Sequence, residues 1–419
     1  MASLPTIPFA IHKSVIGSHQ HLVVTSEPTS VTESATIPQG MLTFGTQGFD
    51  EVAKLYCEPV PTFPQEATQK AYRELFANPP SVPMPWRFCI PYKAYRRSVE
   101  DLVERLRVVV GSMGELGYYR GPYQRGNEVF GYLERARVDE TLWEKFSQEP
   151  GSVGTTAKSF RPDADGYAGT VEYDRTETVT GRLKVKDGPN ILHLKHEHRS
   201  MVVSRFGNSG SIWSLDYSSL EPRVLLSFGH NRGTLPKERD IYMYLLKELF
   251  HNASNLTRAD VKKVVLSEVY GAGMSTLSKE LTHVSNLNRV VEAIEEFFSL
   301  RELKKRLNQE ASDSKFQWLT TPYGRRVSIV DASPYMYPNR VVQSTAVDVA
   351  MLGFLSILEQ VKELDLLDRV VPLFVLHDAL ILDVHENVVK ALPTLCKTGS
   401  RDIQGFEDML FYLSSERFK

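Results

Sequence analysis

The feature that most constrains this chain is an apolar run that ends in an acid, and it occurs twice. Ile212, Trp213 and Leu215 lead into Asp216, which is followed by Tyr217, Ser218, Ser219, Leu220, Glu221, Pro222 and Arg223. Far downstream, Val370 to Leu376 lead into His377 and Asp378, and Ala379 to Leu382 resume the apolar run. Short β-branched and aromatic runs of this kind predict buried strands that each deliver a terminal side chain to a cleft. Two strands presenting one aspartate each can hold two divalent ions between them. Such a pair can bind a triphosphate, lower the pKa of an attacking hydroxyl and stabilise the leaving oxygen. Taken singly, either acid is more often a cap, a turn residue or part of a solvated ion pair. The weight therefore falls on what lies around them.

With 419 residues the chain has room for two or three domains. Its hydrophobic fraction of 42% and charged fraction of 24% are those of an ordinary soluble globular protein. A net charge of −2 means that any phosphate-binding surface has to be local. Cys57, Cys89 and Cys396 form no CxxC pair, which speaks against a zinc site or disulfide framework and fits a reducing compartment. No basic leader precedes a long apolar core, and no run reaches the eighteen or so apolar residues of a membrane helix. The expectation is a soluble cytoplasmic protein with no membrane partner.

Residues 1–95 are rich in Pro, Thr and Ser, with apolar patches at His21 to Thr25 and Met41 to Phe44 and one expected helix from Gln65 to Phe76. The run NPPSVPMPW breaks that helix, and no Asp-x-Glu cluster accompanies it. Val99, Leu102, Val103, Leu106 and Val109 make an apolar helical stripe, and a second helix is expected over Asn127 to Ala136. The loop between them, from Gly117 to Arg125, interleaves aromatics with arginines, which suits a nucleic-acid backbone or a packed helical pair about equally. Thr178 to Leu183 (TVTGRL) is followed by Lys184, Lys186, Lys195, His196, His198 and Arg199, a basic cluster that is either phosphate-binding or solvated surface.

Asp240 to Phe250 reads as an amphipathic helix, and Asn255 to Tyr270 as another. On the latter, Arg258, Lys262, Leu266 and Tyr270 recur every fourth residue along one side. Two cations one turn apart can clamp a polyphosphate, though a solvated edge is the commoner fate of such a pair. A helix is expected from Asn288 to Leu307, a hairpin from Trp318 to Ser328 carrying Arg325 and Arg326, and a long helix from Pro338 to Leu364 carrying Asn339 and Gln343. Those two amides can read a base edge or cap neighbouring backbone. The last 35 or so residues read as a helix, a loop and a final strand or helix.

Together these motifs resemble family A DNA polymerases, the class of bacterial DNA polymerase I and many phage replicases. TGRL at Thr180 to Leu183 is similar to the family's thumb-to-palm motif, and DYSSLEPR at Asp216 to Arg223 to its DYSQIELR. The ladder Arg258, Lys262, Leu266, Tyr270-Gly271 is similar to its fingers helix. YGRR (Tyr323 to Arg326), QSTAVD (Gln343 to Asp348) and VLHDALILDV (Val375 to Val384) complete a set in the family's order over residues 160–390. The resemblance implies an α+β polymerase right hand with an antiparallel-sheet palm, helical fingers and a reduced helical thumb. On that scheme, residues 1–95 form an N-terminal extension, 96–160 the thumb, 161–224 and 336–419 the palm, and 225–335 the fingers.

The same resemblance assigns roles. Asp216, Asp378 and the Tyr217 carbonyl would hold two Mg²⁺, with Mn²⁺ as a substitute. Arg258 and Lys262 would grip the dNTP phosphates, and Lys262 would protonate pyrophosphate. Glu221 would exclude the ribose 2′-hydroxyl, and Tyr270, Leu266 and Tyr242 would complete the nucleotide site. Arg182, Asn339, Gln343, His377, Arg325 and Arg326 would contact primer-template DNA. A processivity factor or other replisome protein is an expected further partner, and a bacterial or phage-infected cell the expected setting. Leu266 stands where the family has an aromatic residue, Ala379 where it has a second acid, and Tyr335 where it has an arginine. The stretch before TGRL is too short for an exonuclease domain plus a thumb of usual size, so neither proofreading nor high processivity is expected. Two alternatives stay open: an enzyme that accepts NTPs, against which Glu221 argues, and a non-catalytic DNA-binding relative, against which both aspartates argue.

Overall fold

The computed structural model describes residues 7–25, 30–66, 68–70, 85–229, 240–251, 255–313 and 317–418. It divides into two compact units, Met1–Tyr119 and Arg120–Lys419.

The two apolar patches of the first unit form strands β2 (His21–Val24) and β4 (Leu42–Phe44) of a four-stranded sheet completed by β1 (Phe9–Ile11) and β3 (Val31–Ser34). Its order is β3-β2-β1-β4, with β4 parallel to β1 and the other pairs antiparallel. Helix α1 (Gln47–Leu55) buries Phe49, Val52, Ala53 and Leu55. Helix α2 (Tyr92–Ser112) buries Tyr95, Leu102, Val103, Leu106, Val109 and Val110, the three-and-four spacing of one helical face. The Tyr95 hydroxyl donates to the Ile16 carbonyl at 2.6 Å, tying α2 to the segment after β1. Helix α2 thus belongs to this unit, although the sequence placed residue 96 onward in a thumb. The expected helix at 65–76 lies largely outside the described residues.

The second unit is built on an antiparallel sheet of β5 (Gly210–Tyr217), β6 (Val370–Leu376), β7 (Ala379–His385) and β8 (Leu413–Arg417), in the order β6-β7-β5-β8. Strand β6 is buried at every position and bulges between Pro372 and Phe374, a proline that an edge strand tolerates. On β5, side chains alternate between two cores: Leu215 and Tyr217 join the larger, Ile212 the smaller on the opposite face. Helices α3 (Leu220–Leu226), α4 (Ile241–Tyr244), α5 (Arg258–Tyr270), α6 (Leu287–Phe297) and α7 (Leu300–Asp313) follow the first acidic strand. Ser299, at φ +52°, breaks what the sequence suggested was one helix into α6 and α7.

Helix α8 (Tyr337–Glu363) runs through the larger core and is apolar on nearly every side. One eighteen-residue window is apolar enough to suit a membrane, yet 89% of it is buried inside the protein. Its contact with β5 is close. The Tyr217 hydroxyl donates to the Gly399 carbonyl at 2.5 Å, and a Cβ on Gly353 would lie 1.8 Å from that hydroxyl. The expected helix over 127–136 is only a short helix and a 3-10 turn ending at Tyr132. The Gly-, Thr- and charge-rich stretch that follows contains an unexpected antiparallel ribbon, Glu172–Asp174 with Lys184–Asp187.

Candidate active site

Sheet register builds the acidic pair. Asp216 lies opposite Ala379, and the turn joining β6 to β7 consists of only His377 and Asp378. His377 takes a left-handed φ of +56°, as a two-residue hairpin requires of its first loop residue. The Tyr217 N–H donates to the Asp378 carbonyl at 3.1 Å, locking the turn to the end of β5. Burial raises the Asp378 carboxyl above the usual carboxylate range, and the charge of Glu221 pushes the same way. Among the described residues no cluster of three or more His, Cys, Asp or Glu could hold a metal. The donor set is therefore two carboxylates, hard oxygen ligands that suit Mg²⁺ or Mn²⁺ when a ligand's phosphates supply the rest. A bound cation would also relieve the cost of burying Asp378.

Both acids line a cleft of about 670 Å³, together with Glu221, Asp240, Tyr242, Arg258, Lys262, Leu266 and Tyr270. Helix α5 supplies four of these because its ends are fixed. At its start, Thr257 and Asp260 form a capping box: the Thr257 N–H donates to Asp260 Oδ2 at 2.9 Å and the Asp260 N–H to Thr257 Oγ1 at 3.2 Å. At its end, Gly271 sits at φ +75°, and a Cβ there would lie 2.7 Å from the Tyr335 carbonyl. Val261, Val264, Val265 and Val269 are buried, while Arg258, Lys262, Leu266 and Tyr270 line the cleft. Arg258 Nε donates to Asp240 Oδ2 at 2.5 Å. Burial alone would raise the Asp240 carboxyl, but Arg258 and the N–H groups of Met243 and Tyr242 hold it below the usual range.

A second cavity of about 280 Å³ shares Leu220, Glu221 and Asp378 with the first, and adds Arg182, His193, Gln343 and His377. Glu221 is the partition. The Tyr270 hydroxyl donates to its Oε2 at 2.7 Å, and Arg182 Nη2 approaches its Oε1 at 3.3 Å. With the Gln343 amide turned to satisfy its neighbours, its oxygen accepts from Arg182 at 2.9 Å and its nitrogen donates to Thr180 at 2.8 Å. Burial, then Glu221, pushes the Tyr270 hydroxyl up to about 12. Burial lowers His377 despite the neighbouring Asp378.

Twelve of the residues singled out in sequence thus line one or other cavity. Three do not. Asn339 is half-buried one turn before Gln343 and lines neither cavity, and its buried Oδ1 has no hydrogen-bond partner among the described residues. Arg325 is a correction: it is only 4% exposed, donates to the Arg175 carbonyl at 3.3 Å, and packs beneath Gly181. A buried guanidinium in that position has no open path to DNA. Arg326 lies over the Trp318 ring at 4.2 Å, on its own hairpin. Sequence reasoning missed His193 and Ser219. Nothing marks His193 in the sequence, and Ser219 owes its place to a left-handed backbone at φ +56°.

The sequence profile of DNA polymerase family A matches residues 153–403, more than half of the chain. The chain belongs to that family. The family A relative "DNA polymerase I, thermostable" of Thermus thermophilus is 25% identical over 250 residues, covering 54% of this chain and 29% of the relative. A DNA polymerase of Bacillus phage SP01 is 29% identical over 119 residues, covering 26% of this chain and 11% of the phage protein. The chain therefore spans under a third of the curated relatives it matches. Among solved structures, the polymerase domain of Pol1 from M. smegmatis, in complex with DNA primer-template and dNTP, superimposes with a TM-score of 0.56. That match covers 99% of this chain and 95% of the other at 14% identity, a likeness of fold.

Proposed function

We propose that this family A member is a template-directed DNA polymerase that adds dNTPs to a primer 3′-hydroxyl. The observation that carries the reading is one cleft lined by Asp216, near the end of β5, Asp378, in the β6–β7 turn, and by Glu221, Arg258 and Lys262. Asp216 and Asp378 would hold the divalent ions, which when bound activate the primer hydroxyl and neutralise the triphosphate. Arg258 and Lys262 bind the phosphates of the incoming nucleotide from the exposed side of α5, and Lys262 delivers a proton to pyrophosphate as it leaves. Glu221, held by Tyr270 and Arg182, occupies the space a ribose 2′-hydroxyl would need. Arg182 and Gln343, in the adjoining cavity, face the minor groove of the primer-template. The sheet with α8 serves as palm, and α4 to α7 as fingers.

The test is primer extension with Mg²⁺, with dNTPs and NTPs in separate reactions. Wild type should extend with dNTPs, Asp216→Ala and Asp378→Ala should lose extension while still binding duplex, and NTPs should be used poorly. No extension by wild type with duplex binding intact would favour a non-catalytic DNA-binding protein. Efficient use of NTPs would overturn the role given to Glu221. The reading also includes no 3′→5′ trimming of a mismatched primer and short products per binding event unless a processivity partner is added. A trapped-template assay on a mispaired primer checks both.

A further inference from the structure

Both cations of α5 approach one side chain that is neither an acid nor part of α5. Tyr242, on the four-residue helix α4, is 3% exposed. The Arg258 guanidinium lies 5.4 Å from the centre of its ring and the Lys262 ammonium 6.0 Å. Asp240, two residues earlier, caps α4 by accepting from the N–H groups of Tyr242 and Met243 at 3.0 and 3.1 Å, and pairs with Arg258. Ser219, just past the first acidic strand, lines the same cleft as Tyr242. The ring is thus held by the cap on its backbone and by its burial.

We propose that Tyr242 is a positioning residue whose ring face holds Arg258 and Lys262 one helical turn apart over the cleft without neutralising either. The inference rests on the polymerase reading and adds to it how the phosphate grip is kept in place. Two like charges at i and i+4 repel, and both side chains are long and lose rotamer freedom when fixed. A carboxylate beneath them would overcome the repulsion but would compete with the triphosphate for the same charges. An aromatic face attracts both cations through its quadrupole without itself cancelling their charge, while Asp240 pairs with Arg258 through Nε. Burial pushes the Tyr242 hydroxyl up to about 12, so the platform stays neutral at neutral pH. Asp240 then orients Arg258 through Nε and leaves the two Nη groups of the guanidinium for a ligand.

The experiment is steady-state incorporation of a single dNTP on primer-template by the full chain. Wild type is compared with Tyr242→Phe, Tyr242→Leu and a series in which fluorinated phenylalanines replace Tyr242. Tyr242→Leu should raise the apparent KM for dNTP roughly tenfold while kcat changes less than about threefold. Tyr242→Phe should return KM to within about twofold of wild type, because the face is kept. Fluorination, which drains the face at nearly constant shape, should raise KM stepwise, and it keeps the test sharp should Tyr242→Leu fail to fold. A flat KM across the fluorinated series, or a kcat loss in Tyr242→Leu at unchanged KM, overturns the proposal and leaves Tyr242 as core packing. Absence of incorporation by wild type is a different failure, since it removes the polymerase reading and takes this inference with it.

Discussion

Gly353→Ala should destabilise the protein even though it replaces glycine by the best helix former in the middle of a helix. On helix propensity alone the change would gain about 1 kcal/mol. The structure reverses the sign, because the new Cβ would lie 1.8 Å from the Tyr217 hydroxyl, 2.9 Å from the Gly399 carbonyl and 3.1 Å from Tyr217 Cζ. Overpacking of this kind costs about 1–3 kcal/mol. Moving the phenol away also breaks its 2.5 Å bond to Gly399, leaving a buried hydroxyl and carbonyl unpaired for about 1–3 kcal/mol more. The net expectation is a loss of about 1–5 kcal/mol, or a fall in Tm of roughly 2–8 °C in a unit of this size. Tyr217→Phe alone should cost about 1 kcal/mol. Combined with Gly353→Ala it should cost less than the sum, because the hydroxyl that Cβ strikes is gone. Chemical denaturation of the four proteins measures the coupling, expected at about 1–2 kcal/mol in favour of the double variant. Strict additivity, or a Gly353→Ala protein as stable as wild type, would refute the packing argument.

Other consequences follow from the same geometry. Gly181→Ala should destabilise by more than about 2 kcal/mol in urea unfolding, since a left-handed residue at φ +74° would gain a Cβ 2.3 Å from the buried Arg325. It should also weaken primer-template binding through the adjacent Arg182. Leu266→Phe should lower the apparent KM for dNTP by restoring a ring on the cleft side of α5; an unchanged KM counts against that assignment. Burial would raise Asp260, but bonds from Thr257 and His283 hold its carboxyl below its usual value of 3.8. An acid held low stabilises the fold fully above that value and loses the contribution as pH falls through the lower folded value. Asp260→Asn should therefore be less stable than wild type by about 1 kcal/mol at pH 5–7, with the gap closing below about pH 4.

What could be read in the sequence depended on the length of each signal. The acidic strands were legible because seven-residue apolar runs such as Val370 to Leu376 leave little choice, and the α5 ladder because four residues kept one spacing over thirteen. The sheet of the first unit was not, because three- and four-residue strands such as Phe9–Ile11 are too short to display a period of two. Nor was the fate of Arg325. Its charge suggested a ligand, whereas its burial beneath Gly181 follows from a contact between segments distant in sequence. The break at Ser299 was hidden because apolar residues continue through Phe297 and Phe298 while only the backbone changes hand. Leu413–Arg417 was ambiguous because its half-polar composition becomes a strand only when β5 pairs with it.

The order of the sheet has a bearing on how the chain is made. Strand β5 lies between β7 and β8, and both of those neighbours come from the last part of the chain. During vectorial synthesis, the segment that carries Asp216 therefore leaves the ribosome long before either flank exists. Until then it has two open hydrogen-bonding edges and an apolar face, the combination that recruits a wrong strand or another chain. Assembly of the acidic pair is therefore a late, non-local event in the folding of the chain.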